Sequence, residues 1–156
     1  MIDLRGNTGG FSSQWVLDTL RRPLAWGFVN RNGAITALPG AAANRVMTVI
    51  TDEFSMSDGD QFAYYFRKWG IGTVVGGQIW GGVRGVKAPW QLVDGTFVTV
   101  PKDALRDSDG KFIIENVGVR RDLEVDKLPG DMVAERDMQL EAAVRDVRER
   151  LVAKRP

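Results

Sequence analysis

Ser55-Met56-Ser57-Asp58-Gly59-Asp60 runs directly into Gln61-Phe62-Ala63-Tyr64-Tyr65-Phe66-Arg67-Lys68-Trp69-Gly70. Phe62, Tyr65, Phe66 and Trp69 fall at i, i+3, i+4 and i+7, the spacing of one face of an amphipathic helix. A Ser-Asp-Gly step therefore opens a helix whose aromatic stripe is anchored in a core, and Gly70 supplies its C-terminal cap. The first turn of a helix carries unpaired N–H groups and a partial positive charge. An exposed hydroxyl held there lies beside donors suited to a developing oxyanion. The plainer reading is that Ser57 or Asp58 serves only as the helix N-cap.

Upstream, Val46-Met47-Thr48-Val49-Ile50 is a short apolar run expected as a buried strand, parallel to one at Met1-Ile2-Asp3-Leu4-Arg5. That first strand stops at Gly6-Asn7-Thr8-Gly9-Gly10. A chain that opens inside a strand is expected to lack upstream elements, leaving a sheet edge open to self-association. A helix is expected from Phe11 to about Leu20, with Trp15, Val16 and Leu20 as its apolar positions. Asn32-Gly33 marks a hairpin between flanking strands within 24–38. Thr73-Val74-Val75-Gly76 is the strand after the aromatic helix, and Thr96–Val100 and Phe112–Ile114 are later ones. Leu140, Val144, Val147 and Leu151 mark a C-terminal helix. Strands alternating with helices imply an α/β sheet with crossovers, whose sites form at the C-terminal ends of the strands. Gly9-Gly10 and Ser57 both fall there.

The 156 residues fit one domain, with 44% apolar and 26% charged residues and a net charge of +1. This balance points to no nucleic-acid partner. No stretch is long and apolar enough to cross a bilayer and no signal peptide is visible, so the cytoplasm is the expected compartment. There is no cysteine and no histidine. Disulfides and thiolate metal sites are excluded, a catalytic zinc is not expected, and no cofactor is implied. The lack of histidine also removes the usual base for a serine nucleophile.

Three further features bear on chemistry. Gly9-Gly10, having no Cβ, can bring backbone N–H groups against a substrate carbonyl, or simply turn the chain. Trp80-Gly81-Gly82-Val83-Arg84-Gly85 is a loop with Trp80 as a candidate core anchor. Glu115, after Phe112-Ile113-Ile114, is either solvated or held for a purpose.

In order along nearly the whole chain, Ile2–Gly10, Ser55–Asp60 with its aromatic helix, Trp80-Gly81-Gly82-Val83, Ile114–Val119 and Asp137-Met138-Gln139-Leu140-Glu141 resemble the C-terminal part of the tricorn-type serine peptidases, relatives of the C-terminal-processing peptidases. The resemblance implies a crotonase-like (ClpP/crotonase-type) α/β core, incomplete at its N-terminal side. It implies Ser57 as nucleophile, the backbone N–H groups of Asp58 and of Gly10 or Gly9 as oxyanion hole, and Glu115 as the acid that orients the relay. Peptide substrates, acyl-enzyme chemistry and a homo-oligomer follow from the same likeness. The family's histidine comes from an upstream segment that this sequence does not contain. The related processing peptidases use a lysine in the loop where this chain has Gly81-Gly82, and Lys87 matches no motif. Position 121 is Arg where the family has Pro, and Ile79 stands for Thr. The chain is thus expected to be a fragment bearing nucleophile, oxyanion hole and acid, with little turnover alone. The competing readings are a peptide-binding or assembly module without chemistry, and a crotonase-type acyl-CoA enzyme.

Overall fold

Thr48-Val49-Ile50-Thr51 is buried at every residue and lies inside a four-stranded parallel sheet. The structure is a computed structural model that describes residues 1–40, 42 and 45–154, except the side chains of 87–89. In chain order its elements are β1 (Ile2–Asp3), α1 (Ser13–Leu20), β2 (Trp26–Val29), β3 (Ile35–Leu38), β4 (Thr48–Thr51), α2 (Asp58–Lys68), β5 (Thr73–Gly76), β6 (Gly85–Gln91), β7 (Phe97–Asp103), β8 (Leu123–Glu124), α3 (Pro129–Val133) and α4 (Met138–Ala153). The main sheet runs β1-β4-β5-β8, with Val49 beside Val74 and Ile50 beside Val75.

That register explains why the strands are apolar at consecutive positions. Side chains alternate between faces, so a strand covered on both sides needs apolar residues at both. Val49 and Val74 join Leu4, Leu17, Phe62, Ala63 and Phe66 in the larger core, beneath α1 and α2. Ile50 and Val75 meet Ala142 and Ala143 of α4 in a second, smaller core. The α/β expectation is met, and both parallel neighbours of β4 lie where the apolar runs put them.

Several details differ from the sequence reading. In α1 the buried apolar residue is Leu17, while Trp15 and Val16 are exposed. Along α2 the core side is Phe62, Ala63 and Phe66, and Trp69 lies at the rim. α4 is turned so that Gln139, Ala142 and Ala143 face the sheet, while Leu140 and Leu151 are exposed. Small residues allow close approach of helix and sheet, and polar anchors fix it. Thr48 Oγ1 donates to Asp146, and Arg150 donates to the Met47 carbonyl at 3.0 Å. The Phe112–Ile114 segment is not a strand beyond one bridge from Phe112 to Arg106. Ile114, Asn116 and Gly118 have φ of 72°, 61° and 72°, which no extended strand accommodates. The hairpin expected at Asn32-Gly33 is present, with Val29 opposite Ile35 and Gly33 at φ 82°.

The loops leaving β1, β4 and β5 at their C-terminal ends are residues 4–12, 52–57 and 77–84. They meet at one end of the sheet. Gly76 permits this closeness. It sits at φ 124°, and a Cβ there would overlap the Thr51 carbonyl oxygen. Gly76→Ala is expected to lower stability by about 1–3 kcal/mol or more. Gly130→Ala, at a site with open space, should change it by less than about 0.5 kcal/mol. Urea midpoints of the two variants check the contrast.

Candidate functional site

Ser57 is the residue immediately before α2, and its backbone is strained, with φ 54° and ψ −110°. A non-glycine residue at positive φ is uncommon and costs on the order of 1–3 kcal/mol, so surrounding contacts must hold it. They do so through the main chain. Ser57 N–H donates to Gly82 O at 3.0 Å, and Ser57 O accepts from Gln61 N–H at 3.0 Å. The side chain makes no capping bond to its helix. Strain thus presents the hydroxyl, where an ordinary N-cap would turn it onto its own helix.

Asp58 is not the cap of α2 either. Its buried carboxylate crosses to α1, where it accepts from Ser12 N–H and Ser13 N–H, each at 3.0 Å, and from the Ser13 hydroxyl. Two unpaired donors of one helix are thus satisfied by the first residue of the other. With its side chain engaged there, Asp58 has a backbone N–H without a protein acceptor among the described residues.

The glycine loop comes up against this turn from β1. Asn7 O accepts Met56 N–H at 2.8 Å, and a Cβ on Gly59 would stand 2.9 Å from the same oxygen. Gly9 has φ 127°, and a Cβ there would lie 3.0 Å from Ser57 Cβ and 3.3 Å from its Oγ. The close approach of main chain to the serine needs glycine at that position. Gly9 N–H donates to Asn7 Oδ1 at 3.0 Å. Gly10 N–H has no protein acceptor among the described residues, which separates the two glycines as donors.

Thr8, Gly9, Gly10, Ser57, Trp80, Arg84 and Glu115 line a single open cleft of about 630 Å³. Four of the residues singled out from sequence therefore share one cavity. Asp58 does not line it; its backbone nitrogen lies 3.9 Å from where a Cβ on Gly9 would stand. Trp80 is not a core anchor, since it is 63% exposed on the cleft wall. The Lys87 side chain lies outside the described residues.

Glu115 sits on a tight turn, neither freely solvated nor at a strand end. Its Oε2 accepts Val83 N–H at 3.0 Å, and Oε1 lies 3.4 Å from Arg84 Nε. Asn116 N–H donates to Gly81 O at 2.8 Å, and a Cβ on Gly81 would stand 2.5 Å from Gly118 N. Main chain packs on main chain there, so glycine is required on both sides.

Two buried carboxylates that the sequence reading passed over complete the frame. Asp52 accepts Gly6 N–H and the Ser55 hydroxyl, each at 3.0 Å, and pairs with Lys127 at 3.1 Å. Burial alone would raise its pKa, but the Gly6 N–H, Lys127 and Ser55 outweigh it and hold the group below its ordinary value of 3.8. Asp60 accepts Gly81 N–H at 3.0 Å and Gly82 N–H at 3.2 Å. Burial pushes Asp60 up to about 6, with the Glu115 charge adding to the rise and the N–H groups opposing it. Both aspartates had a weak signal, being acids beside an otherwise apolar strand and helix face.

The residues that could hold a metal do not assemble: no group of three or more acids with that geometry occurs among the described residues. No helix among them is long and apolar enough to cross a membrane.

Residues 1–125 match the family described as Peptidase family S41, and the chain belongs to that family. It is 38% identical over 144 residues to the tricorn protease homolog of Saccharolobus solfataricus, covering 92% of this chain and 14% of that protein. It is 36% identical over 145 residues to the tricorn protease of Thermoplasma acidophilum, covering 92% of this chain and 13% of that one. The crystal structure of the tricorn protease superposes with a TM-score of 0.87 at 35% identity, over 96% of this chain and 15% of that chain. The chain thus spans about one-seventh of the length of the relatives it matches.

Asp52 should contribute to the acid end of the stability profile. Its folded pKa is depressed, so its contribution is present above pH 3.8 and is lost as pH falls through the lower folded value. Asp52→Asn is expected to cost about 1–3 kcal/mol at pH 7. It should also flatten the loss of stability below about pH 4. Urea unfolding of both proteins between these limits checks it.

Proposed function

We propose that this member of peptidase family S41 carries the nucleophile, oxyanion site and acid of a serine peptidase that hydrolyses oligopeptides through an acyl-enzyme. What supports the reading most is Ser57: a hydroxyl raised by a strained main chain, beside Gly9, with the Asp58 and Gly10 N–H groups unclaimed. Ser57 Oγ attacks the scissile carbonyl carbon and gives up its proton to a base. The carbonyl oxygen becomes an oxyanion that accepts from the Asp58 and Gly10 N–H groups. Collapse breaks the C–N bond, and the amine leaves with that proton. Water then attacks the ester, and Ser57 Oγ is reprotonated as the acid product departs. Glu115 orients the relay by hydrogen bonding, from the same cleft.

The base is not a histidine of these 156 residues, because there is none. It is supplied by another segment of the gene or by a partner subunit, and this chain works as the C-terminal part of the catalytic domain. A homo-oligomer acting in the cytoplasm completes the reading. One observation favours a second reading, a peptide-binding module without chemistry. Glu115 is already engaged by Val83 N–H and Arg84, and no hydrogen-bonded base is found on the Ser57 hydroxyl among the described residues.

Without its base the chain by itself should turn over oligopeptides about 10⁴–10⁶-fold more slowly than a complete site. Ser57→Ala should lower that residue of activity little further. Joined to the base-bearing segment, the chain should be labelled by a serine-directed phosphonate at Ser57, and Ser57→Ala should abolish both labelling and hydrolysis. Brisk hydrolysis by the chain alone would show a base within it. Peptide binding indifferent to Ser57→Ala, with no labelling in the joined form, would establish the binding module instead.

A further inference from the structure

We propose that Asp60 is a positioning residue that sets the placement of Ser57 relative to Glu115, by clamping the loop strung between them. Its importance for catalysis rests on the reading of Ser57 as nucleophile; the clamp itself does not.

Asp60 lies in the first turn of α2, three residues beyond Ser57, and is fully buried. An aspartate there ordinarily serves the N–H groups of its own helix. This one acts on the Ser57 N–H at the start of its own helix and also reaches across to another segment, where it takes two consecutive N–H groups, of Gly81 and Gly82. The next N–H, of Val83, goes to Glu115. Three successive donors of one loop are therefore held by two carboxylates. The carbonyls of the same loop complete the connection. Gly82 O accepts Ser57 N–H at 3.0 Å, and Gly81 O accepts Asn116 N–H at 2.8 Å. The peptide that carries the serine and the one that follows Glu115 hang from neighbouring carbonyls. Neither Gly81 nor Gly82 has a side chain with which to fix itself. Asp60 is the group that grips this pair from the helix side.

The charged groups around Asp60 are few. Glu115 faces it from the 113–118 turn and raises its pKa. Arg84, on the clamped loop, is paired with Glu115. Asp58, on the same helix, is turned to Ser12 and Ser13. Protonation of Asp60 therefore weakens its two bonds to the loop, and Gly81 N–H and Gly82 N–H have no other side-chain acceptor among the described residues. Ser57, suspended from Gly82 O, moves with the loop.

The test is an amide titration of the whole ¹⁵N-labelled chain between about pH 4.5 and 7.5, a range that brackets the Asp60 carboxyl. The Gly81 and Gly82 amide resonances should shift with a common midpoint of about 6, and the Ser57, Val83 and Asn116 amides should follow with the same midpoint. Asp60→Asn should abolish the shared step in all five. Asp58→Asn should leave it in place. If Asp60→Asn does not fold, the carboxyl ¹³C of Asp60 in the unaltered chain, followed beside the five amides, gives the same readout. Because Asp60 also acts directly on the Ser57 N–H, the deciding readouts are the Val83 and Asn116 amides, which reach Asp60 only through the loop. Either of them blind to the Asp60 carboxyl while Gly81 and Gly82 titrate would overturn the proposal, as would a flat Ser57 amide. Phosphonate labelling of Ser57 in the joined form is unaffected by either result, so the nucleophile reading fails separately.

Discussion

Three buried carboxylates within residues 52–60 hold this end of the molecule together. Each takes backbone N–H groups from a different piece of chain: Asp52 from the glycine loop, Asp58 from the start of α1, Asp60 from the loop after β5. A buried carboxylate is costly unless its lone pairs are filled, and each of these is filled largely by main-chain donors. The demand works in both directions. Loops with few side chains of their own acquire a fixed position because the acids need their N–H groups. The strained Ser57 backbone persists because its neighbours on both sides are anchored in this way.

Asp52 and Asp60 share a motif but differ in electrical state. The Gly6 N–H, Lys127 and the Ser55 hydroxyl hold Asp52 below its ordinary value against the cost of burial, so its contribution to stability is lost as pH falls through that lowered value. Asp60 is pushed up to about 6 by burial and by the field of Glu115, with no ion pair to it among the described residues. For a group with a raised folded pKa the linkage has the opposite sign. The folded state binds the extra proton between the two values, and stability from that group falls as pH rises through them. Mild acid therefore relieves burial at Asp60 before it harms Asp52.

Much of the scaffold was readable in the chain. The apolar runs at 46–50 and 73–76 became adjacent parallel strands because continuous burial on two faces leaves that composition. Asn32-Gly33 gave its hairpin because the turn needs positive φ where glycine stands. Gly9, Gly10, Ser57 and Glu115 came together in one cleft, an arrangement that family order suggested and periodicity alone did not. Less was readable where tertiary contacts overruled pattern. The Leu140–Leu151 stripe of α4 promised a core face, yet alanines and a polar network lie against the sheet. Ile113 and Ile114 look like a strand, yet Ile114 is buried at positive φ in a turn. The clamps of Asp52 and Asp60 left little trace, since an acid in a helix's first turn looks the same whether it serves that helix or a distant loop.

β1 occupies the margin of the main sheet, while β4 and β5 are interior. Two of the three loops at the cleft thus depart from strands braced on both sides, and the third departs from one braced on a single side. Among the described residues the Gly9-Gly10 wall is therefore rooted in a strand with a neighbour on one side only, and Asn7 and Asp52 stitch that root. A strand paired along the outer side of β1 would stiffen the wall from behind. Occupancy of a remote border could in this way be transmitted to the cradle facing the serine.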